Sequence, residues 1–300
     1  MKAIFQKLFM GKAPRRLNIP LGPFSFLKIR LHDFLIRARS MSHTRLIILA
    51  ISFIAILAAI SPVAGQMKRV IGDEQIVKES ELVAGGDRIE IYQHRMKVDP
   101  AFLRITEDAY RQVEKLLGVK LDTATLGMKV GIYVSDFPSV CHVWKGPNHP
   151  QDPRGLIFLH RRAYLEAMKG VNATYIHELV HLFMWRYHSH TLREGLAEYI
   201  ALKILPAGIG ASPVSSYGSG AIPTEVIEHL GTTKPPPPWL PTDPARRRVY
   251  YLASYRLVKY LVEFKDLETF LHLYKSRSPE TEIGKLYGIT REEAIRAAGM

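Results

Sequence analysis

His177-Glu178-Leu179-Val180-His181 sets two imidazoles four residues apart with a carboxylate between them. On a helix, residues four apart lie one above the other on the same face, so His177 and His181 can point at one metal ion. Glu178, the next residue round the helix from His177, flanks that position. Catalytic zinc sites take three protein ligands and leave a fourth position for water. Such a metal lowers the pKa of the water and polarises a carbonyl, while a carboxylate free of the metal accepts the proton. Glu178 suits that last task as general base. After a gap of twelve residues beyond His181 comes Glu194-Gly195-Leu196-Ala197-Glu198-Tyr199. Glu194 is the best candidate for third ligand. Glu198, one helical turn further, can face the same way and accept a hydrogen bond from a ligand imidazole. His188 and His190 are rival third ligands, although both suit a polar turn. Met184 and Tyr187 stand where an extended three-histidine motif would need glycine and histidine.

Two helices must hold these groups. The first is expected to begin at a cap near Asn172 or Thr174 and to run to about Tyr187. His188-Ser-His-Thr191 breaks it, with Thr191 capping a second helix through Leu205 that carries an apolar pattern of Leu192, Leu196 and Ile200. Ahead of them, Arg88–Tyr92, Met128–Val134 and Gly155–His160 read as strands. Asp99–Leu117 reads as a helix closed by Gly118. The stretch from Phe137 to Arg154 contains four prolines and reads as a loop. Gly208–Asp243 is a long irregular connection, with Pro235–Pro238 consecutive and a short helix at Thr224–Leu230. Helical patterns at Ala245–Phe264, Leu267–Ser276 and Thr290–Ala298 close the chain. The expected class is α+β: a small N-terminal mixed sheet followed by a mainly helical part.

The front of the chain is different in kind. The formal net charge is +13, yet residues 1–45 alone hold ten Lys/Arg against one acid, Asp33. The basic excess thus belongs to that segment, and no nucleic-acid partner is expected of the folded part. No charged residue occurs from Leu46 to Gly65, a length that suits a bilayer core of roughly 30 Å. The basic flank places the N-terminus in the cytoplasm and everything after residue 66 outside. Residues 46–65 are then either a transmembrane anchor, giving a single-pass cell-membrane protein, or a signal-peptide core. In the second case cleavage near Ala64 or Gly65 gives a secreted or periplasmic product. A start at Met41 would leave a compact signal peptide. The organisation read from this is 1–45 basic segment, 46–65 membrane or signal helix, 66–84 linker and 85–300 metal-site domain. The single cysteine, Cys141, excludes an intramolecular disulfide framework and a multi-cysteine zinc site. It reads as a half-buried small apolar residue.

His177-Glu-Leu-Val-His181 followed by Leu192-Arg-Glu-Gly-Leu-Ala-Glu-Tyr199 resembles the gluzincin zinc metallopeptidases, specifically the peptidase MA-like domains of exported bacterial proteins. The resemblance covers roughly residues 85–298, with specific motifs only at 177–199. It implies a thermolysin-like catalytic lobe, zinc (Zn2+) on His177, His181 and Glu194, Glu178 as base, and a peptide or protein substrate. Similar enzymes also carry a Tyr or His oxyanion stabiliser, for which Tyr251 and Tyr255, one helical turn apart, are candidates, with Tyr250 behind them. Gly155–His160 resembles the edge strand that holds an extended peptide by strand addition. The spacer of twelve residues is shorter than in thermolysin, and Glu198 stands where thermolysin-like enzymes place Asp. An exported zinc-binding scaffold without proteolytic activity is the alternative reading.

Overall fold

Five strands, β1 (Glu81–Gly85), β2 (Ile89–His94), β3 (Val130–Ser135), β4 (His142–Trp144) and β5 (Leu156–His160), form one mixed sheet in the order β1-β2-β3-β5-β4. β2, β3 and β5 run parallel, and β1 and β4 pair antiparallel to their neighbours at the two ends. The computed structural model describes residues 72–136, 140–144, 152, 154–205 and 221–300. The basic segment 1–45, the apolar segment 46–65 and residues 206–220 of the long connection lie outside the described residues. Among the described residues no helix is long and apolar enough to cross a membrane.

The strand residues explain the layering. Alternate side chains of a strand face opposite sides of a sheet. Val130, Ile132 and Val134 of β3, with Ile157 and Leu159 of β5, enter the main core. Tyr133, Leu156 and Phe158 point the other way and meet Ile76. Ile76 belongs to α1 (Asp73–Glu79), in a stretch expected as linker. Full burial of such a side chain contributes about 1.5–3 kcal/mol, so residues 73–84 are part of the fold rather than a tether to it. Covered on both faces, β3 and β5 are continuously apolar instead of alternating.

Two expectations about strands need correction. Gly155–His160 is not an edge, because β4 pairs along it through His142↔Phe158, Val143↔Ile157 and Trp144↔Leu156. The end strand is β4, three residues inside the proline-rich stretch that reads as loop. Too few residues alternate there to give a period of two.

Helices α2 (Phe102–Leu117), α3 (Thr123–Leu126), α4 (Arg161–Met168), α5 (Ala173–Phe183), α6 (His190–Ile204), α7 (Thr224–Ile227) and α8 (Pro244–Phe264) follow, then α9 (Leu267–Lys275), α10 (Pro279–Tyr287) and α11 (Arg291–Ala297). α2 ends as its sequence demands: Gly118 sits in the left-handed region at φ 65° and its N–H bonds back to the Glu114 carbonyl. α5 is buried along nearly its whole length, with α2, α4, the sheet and α6 packed round it. The mixed α+β class and the small N-terminal sheet before a mainly helical half match the sequence reading. α1, α3, α4 and α10 lie outside the helical patterns read from the sequence.

Candidate metal centre

α5 supplies the first two donors, and its end is set by tertiary contact. The helix stops at Phe183, four residues short of the expected Tyr187. The Met184 carbonyl, which a continuing helix would use internally, instead accepts the Tyr274 hydroxyl at 2.7 Å. Six residues then connect to α6. Its cap is Ser189, whose hydroxyl accepts from the Leu192 N–H at 3.4 Å, and not Thr191. The Thr191 hydroxyl is committed elsewhere, accepting from the Gly231 N–H at 2.9 Å and donating to the His229 carbonyl at 3.2 Å. That pair of bonds ties the connection after α7 to the start of α6.

The two helices bring His177, His181 and Glu194 together. His177 Nε2 and His181 Nε2 each lie 3.3 Å from Glu194 Oε2. One nitrogen or oxygen from each of the three residues lies within 4.8 Å of the other two. Zinc bonds of roughly 2.0–2.1 Å in a tetrahedron put neighbouring ligand atoms about 3.3–3.4 Å apart. The donor set, two imidazoles and a carboxylate, fits that ion in type, and its two imidazole–carboxylate distances match that spacing. On the other side of the first imidazole, His177 Nδ1 lies 3.3 Å from Glu198 Oε1, which fixes the ring and leaves Nε2 for the centre. His181 Nδ1 is buried and has no hydrogen-bond partner among the described residues.

Glu194 is almost fully buried, at 3% exposure. An isolated carboxylate there would cost several kcal/mol. Its second oxygen answers this, lying 3.2 Å from Arg193 Nη1 and 3.5 Å from His190 Nε2. Burial alone would push the Glu194 carboxyl up, but hydrogen bonds from both imidazoles and the Arg193 guanidinium hold it well below the usual range. Burial likewise opposes a charge on His177, and bonds to Glu194 and Glu198 reverse the sign, raising it well above an ordinary imidazole. His181 has too little compensation, so burial pushes it down to about 3 and the ring is neutral, the state in which imidazole binds a metal.

Glu178 is placed differently. It lines the cleft above these donors, and among the described residues no hydrogen bond or ion pair engages its carboxylate. Burial, then the Glu194 charge, raises its pKa, against the pull of His177 and Arg193. A carboxylate that holds a proton more readily than usual, beside a candidate metal position, is what a general base needs.

The cleft has a volume of about 680 Å³. Its floor is α5 and α6. One wall is β4 with α4, from Val140 to Val143 and from His160 to Glu166; the other is the start of α8, with Pro244, Arg247, Arg248 and Tyr251. Tyr251 enters the site, its ring 6.0 Å from that of His177 and inclined by 25°. Tyr255 does not line the cleft, and packs half-buried against the core. Tyr250 backs His190, whose Nδ1 lies 3.2 Å from the Tyr250 hydroxyl. Of the rival ligands, His188 is exposed and outside the cleft, while His190 flanks Glu194 instead of joining the two imidazoles. The spacing of four between His190 and Glu194 was a usable signal for that contact. Arg193 and the arginines of α8 carried no such signal.

α8 can approach because of Gly195. A Cβ at this position would lie 2.3 Å from the Ser254 carbonyl oxygen and 2.5 Å from Val258 Cγ2. Glycine between Glu194 and Glu198 therefore lets the two helices meet backbone to backbone, which brings Tyr251 over His177.

No protein family matches the chain, and no curated protein matches it. Among solved structures, that of a functionally unknown conserved protein from Bacillus anthracis str. Ames is similar at 10% identity, with a TM-score of 0.39 over 75% of this chain and 54% of that one. The chain thus spans about half the length of that structure. A likeness of this degree carries no argument about fold or function.

Proposed function

We propose that the chain is a zinc-dependent peptidase of the gluzincin type, with a thermolysin-like catalytic lobe, acting outside the cytoplasmic membrane. The observation that carries this reading is the meeting of His177 Nε2 and His181 Nε2 on Glu194 Oε2 at 3.3 Å, the spacing of a tetrahedral zinc site. Zinc held there supplies Lewis acidity, which acidifies water and polarises a peptide carbonyl. The chain's own residues do the rest. Glu178 takes the proton from water on its uncommitted carboxylate and passes it to the leaving amine. The Tyr251 hydroxyl, kept protonated by burial and by the Glu194 and Glu178 charges, donates to the oxygen on which negative charge develops. Glu198 holds the His177 ring in register, and Arg193 with His190 keeps the Glu194 carboxylate ionised and oriented. An extended peptide lies along β4, the end strand that lines the cleft. The extracytoplasmic location rests on the apolar run 46–65 behind its basic flank.

The test is Glu178→Gln, which keeps the shape and removes the base. It retains bound zinc and the fold while hydrolysis of a peptide library falls by about 10²–10⁴. Full activity in that variant refutes the role of Glu178, and an absence of zinc from the wild-type chain purified without chelators refutes the metal centre.

A further inference from the structure

The wall of the cleft formed by α8 carries two arginines that no carboxylate among the described residues neutralises. Arg246, Arg247 and Arg248 fall within the first five residues of this helix, and its first turn contains no acidic residue. Cationic side chains there oppose the positive end of the helix dipole. Only Arg246 is compensated, by Glu225 at 3.2 Å and Asp243 at 3.7 Å. Among the described residues neither Arg247 nor Arg248 has a carboxylate partner, yet both line the cleft. The internal segments outside the described residues, 137–139, 145–151, 153 and 206–220, contain no Asp or Glu to supply one. Every acid in the cleft is already assigned. Glu166 pairs with Arg162 at 2.8 Å, Glu194 and Glu198 meet the imidazoles, and Glu178 stands beside the centre. A local rule broken at a cleft, with no internal compensation, marks a place for an external charge.

Geometry places that charge. Arg247 is four residues before Tyr251, so the two side chains stack along one face of α8 about 6 Å apart on the axis. Tyr251 itself stands 6.0 Å from His177, ring to ring. The Asp243 side chain already accepts the Ala245 and Arg246 amides at 3.0 Å, so the free donors at this end of the helix are guanidinium groups and not backbone N–H. Guanidinium matches carboxylate in planarity and in its paired donors.

We infer that Arg247 and Arg248 form a subsite for a carboxylate on the bound peptide, within one or two residues of the bond at the metal centre. The inference rests on the reading of this cleft as a peptide site. It gives that reading a substrate class: peptides bearing Asp or Glu, or their own C-terminus, next to the scissile bond.

The test uses the full chain carrying Glu178→Gln, loaded with zinc, and fluorescent peptides in matched pairs that differ by Glu against Gln at one position. Each pair is made with a free and an amidated C-terminus. Acidic peptides bind at least tenfold more tightly than their neutral partners at low salt, and the gap narrows as salt rises. Adding Arg247→Gln and Arg248→Gln closes the gap. Replacing both with Lys preserves part of it, which separates lost charge from lost fold. A gap that follows amidation assigns the carboxylate to the chain terminus, and one that follows Glu→Gln assigns it to a side chain. Equal affinity within every pair, or no saturable binding of any peptide, overturns the inference. Cleavage by the wild-type chain is scored separately. Acidic preference without cleavage sinks the peptidase reading alone, and cleavage without acidic preference sinks the subsite alone.

Discussion

A methyl group at position 195 sets two effects of opposite sign against each other. In an open helix Gly→Ala is favourable by about 0.5–1 kcal/mol, because the unfolded chain loses freedom. In this chain the added Cβ would stand 2.3 Å from the Ser254 carbonyl oxygen, 2.7 Å from its carbon and 2.5 Å from Val258 Cγ2. Ordinary non-bonded contact requires about 3.5 Å, so α8 must retreat by about 1 Å. Two of the three obstructing atoms are backbone, and no rotamer change relieves them. Overpacking of this kind costs about 1–3 kcal/mol, which outweighs the propensity gain and leaves a net loss of roughly 1–2 kcal/mol. Urea unfolding of the metal-free full chain with Gly195→Ala reads this directly. For a domain of this size a thermal scan shows the same loss as about 2–4 °C per kcal/mol. On the proposed function the variant still binds zinc, since the candidate donors sit on α5 and α6, but hydrolysis falls because Tyr251 moves away with α8. An unchanged or raised stability would refute the close crossing of α6 and α8, and with it the account of how Tyr251 reaches the site.

Three further outcomes follow from the same geometry. Glu194→Gln removes the negative charge that both imidazoles approach and puts an NH2 group in place of one carboxylate oxygen, and zinc affinity measured by competition with a chelating dye falls by about a hundredfold or more; a smaller loss would return the third-ligand role to His190. Glu198→Gln leaves the donors but loosens the His177 ring, lowering zinc affinity about 10–100-fold, with no change taken as evidence against the Glu198 contact. The Cys141 thiol is pushed up to about 12 by burial first and by the Glu178 charge second. It is therefore protonated at pH 8, where an ordinary thiol near 8.5 is partly ionised. Iodoacetamide labels it promptly only in denaturant, and rapid labelling of the folded chain at pH 8 would contradict its placement.

The site was more legible than the fold that holds it. His177, His181, Glu194 and Glu198 were readable because helical spacing of four is local, and two helices suffice to place them. Tyr251 was readable only as one of a pair with Tyr255. Spacing puts both on one helix, and the packing of α8 against α6 decides between them. Nothing local reports that packing except Gly195, whose reason lies in Ser254, distant in sequence. β4 was hidden for a related reason: three residues cannot show a period, and their strand character comes from pairing with β5. Thr191 is the opposite case, a good cap by type whose hydroxyl serves Gly231 and His229 instead.

The donors of the candidate centre all fall between His177 and Glu198, whereas Tyr251 and Arg247 arrive about fifty residues later. Bringing His181 and Glu194 together closes a loop of only about a dozen residues, a step on the scale of tens of nanoseconds. A nascent chain that emerges N-terminus first thus completes the segment that carries the candidate donors while α8 is still unmade. On the proposed function, ion capture and substrate competence are then separate stages of maturation, and the second waits for the helix that Gly195 admits. On that reading the segment that holds the ion exists before the cleft that grips a peptide does.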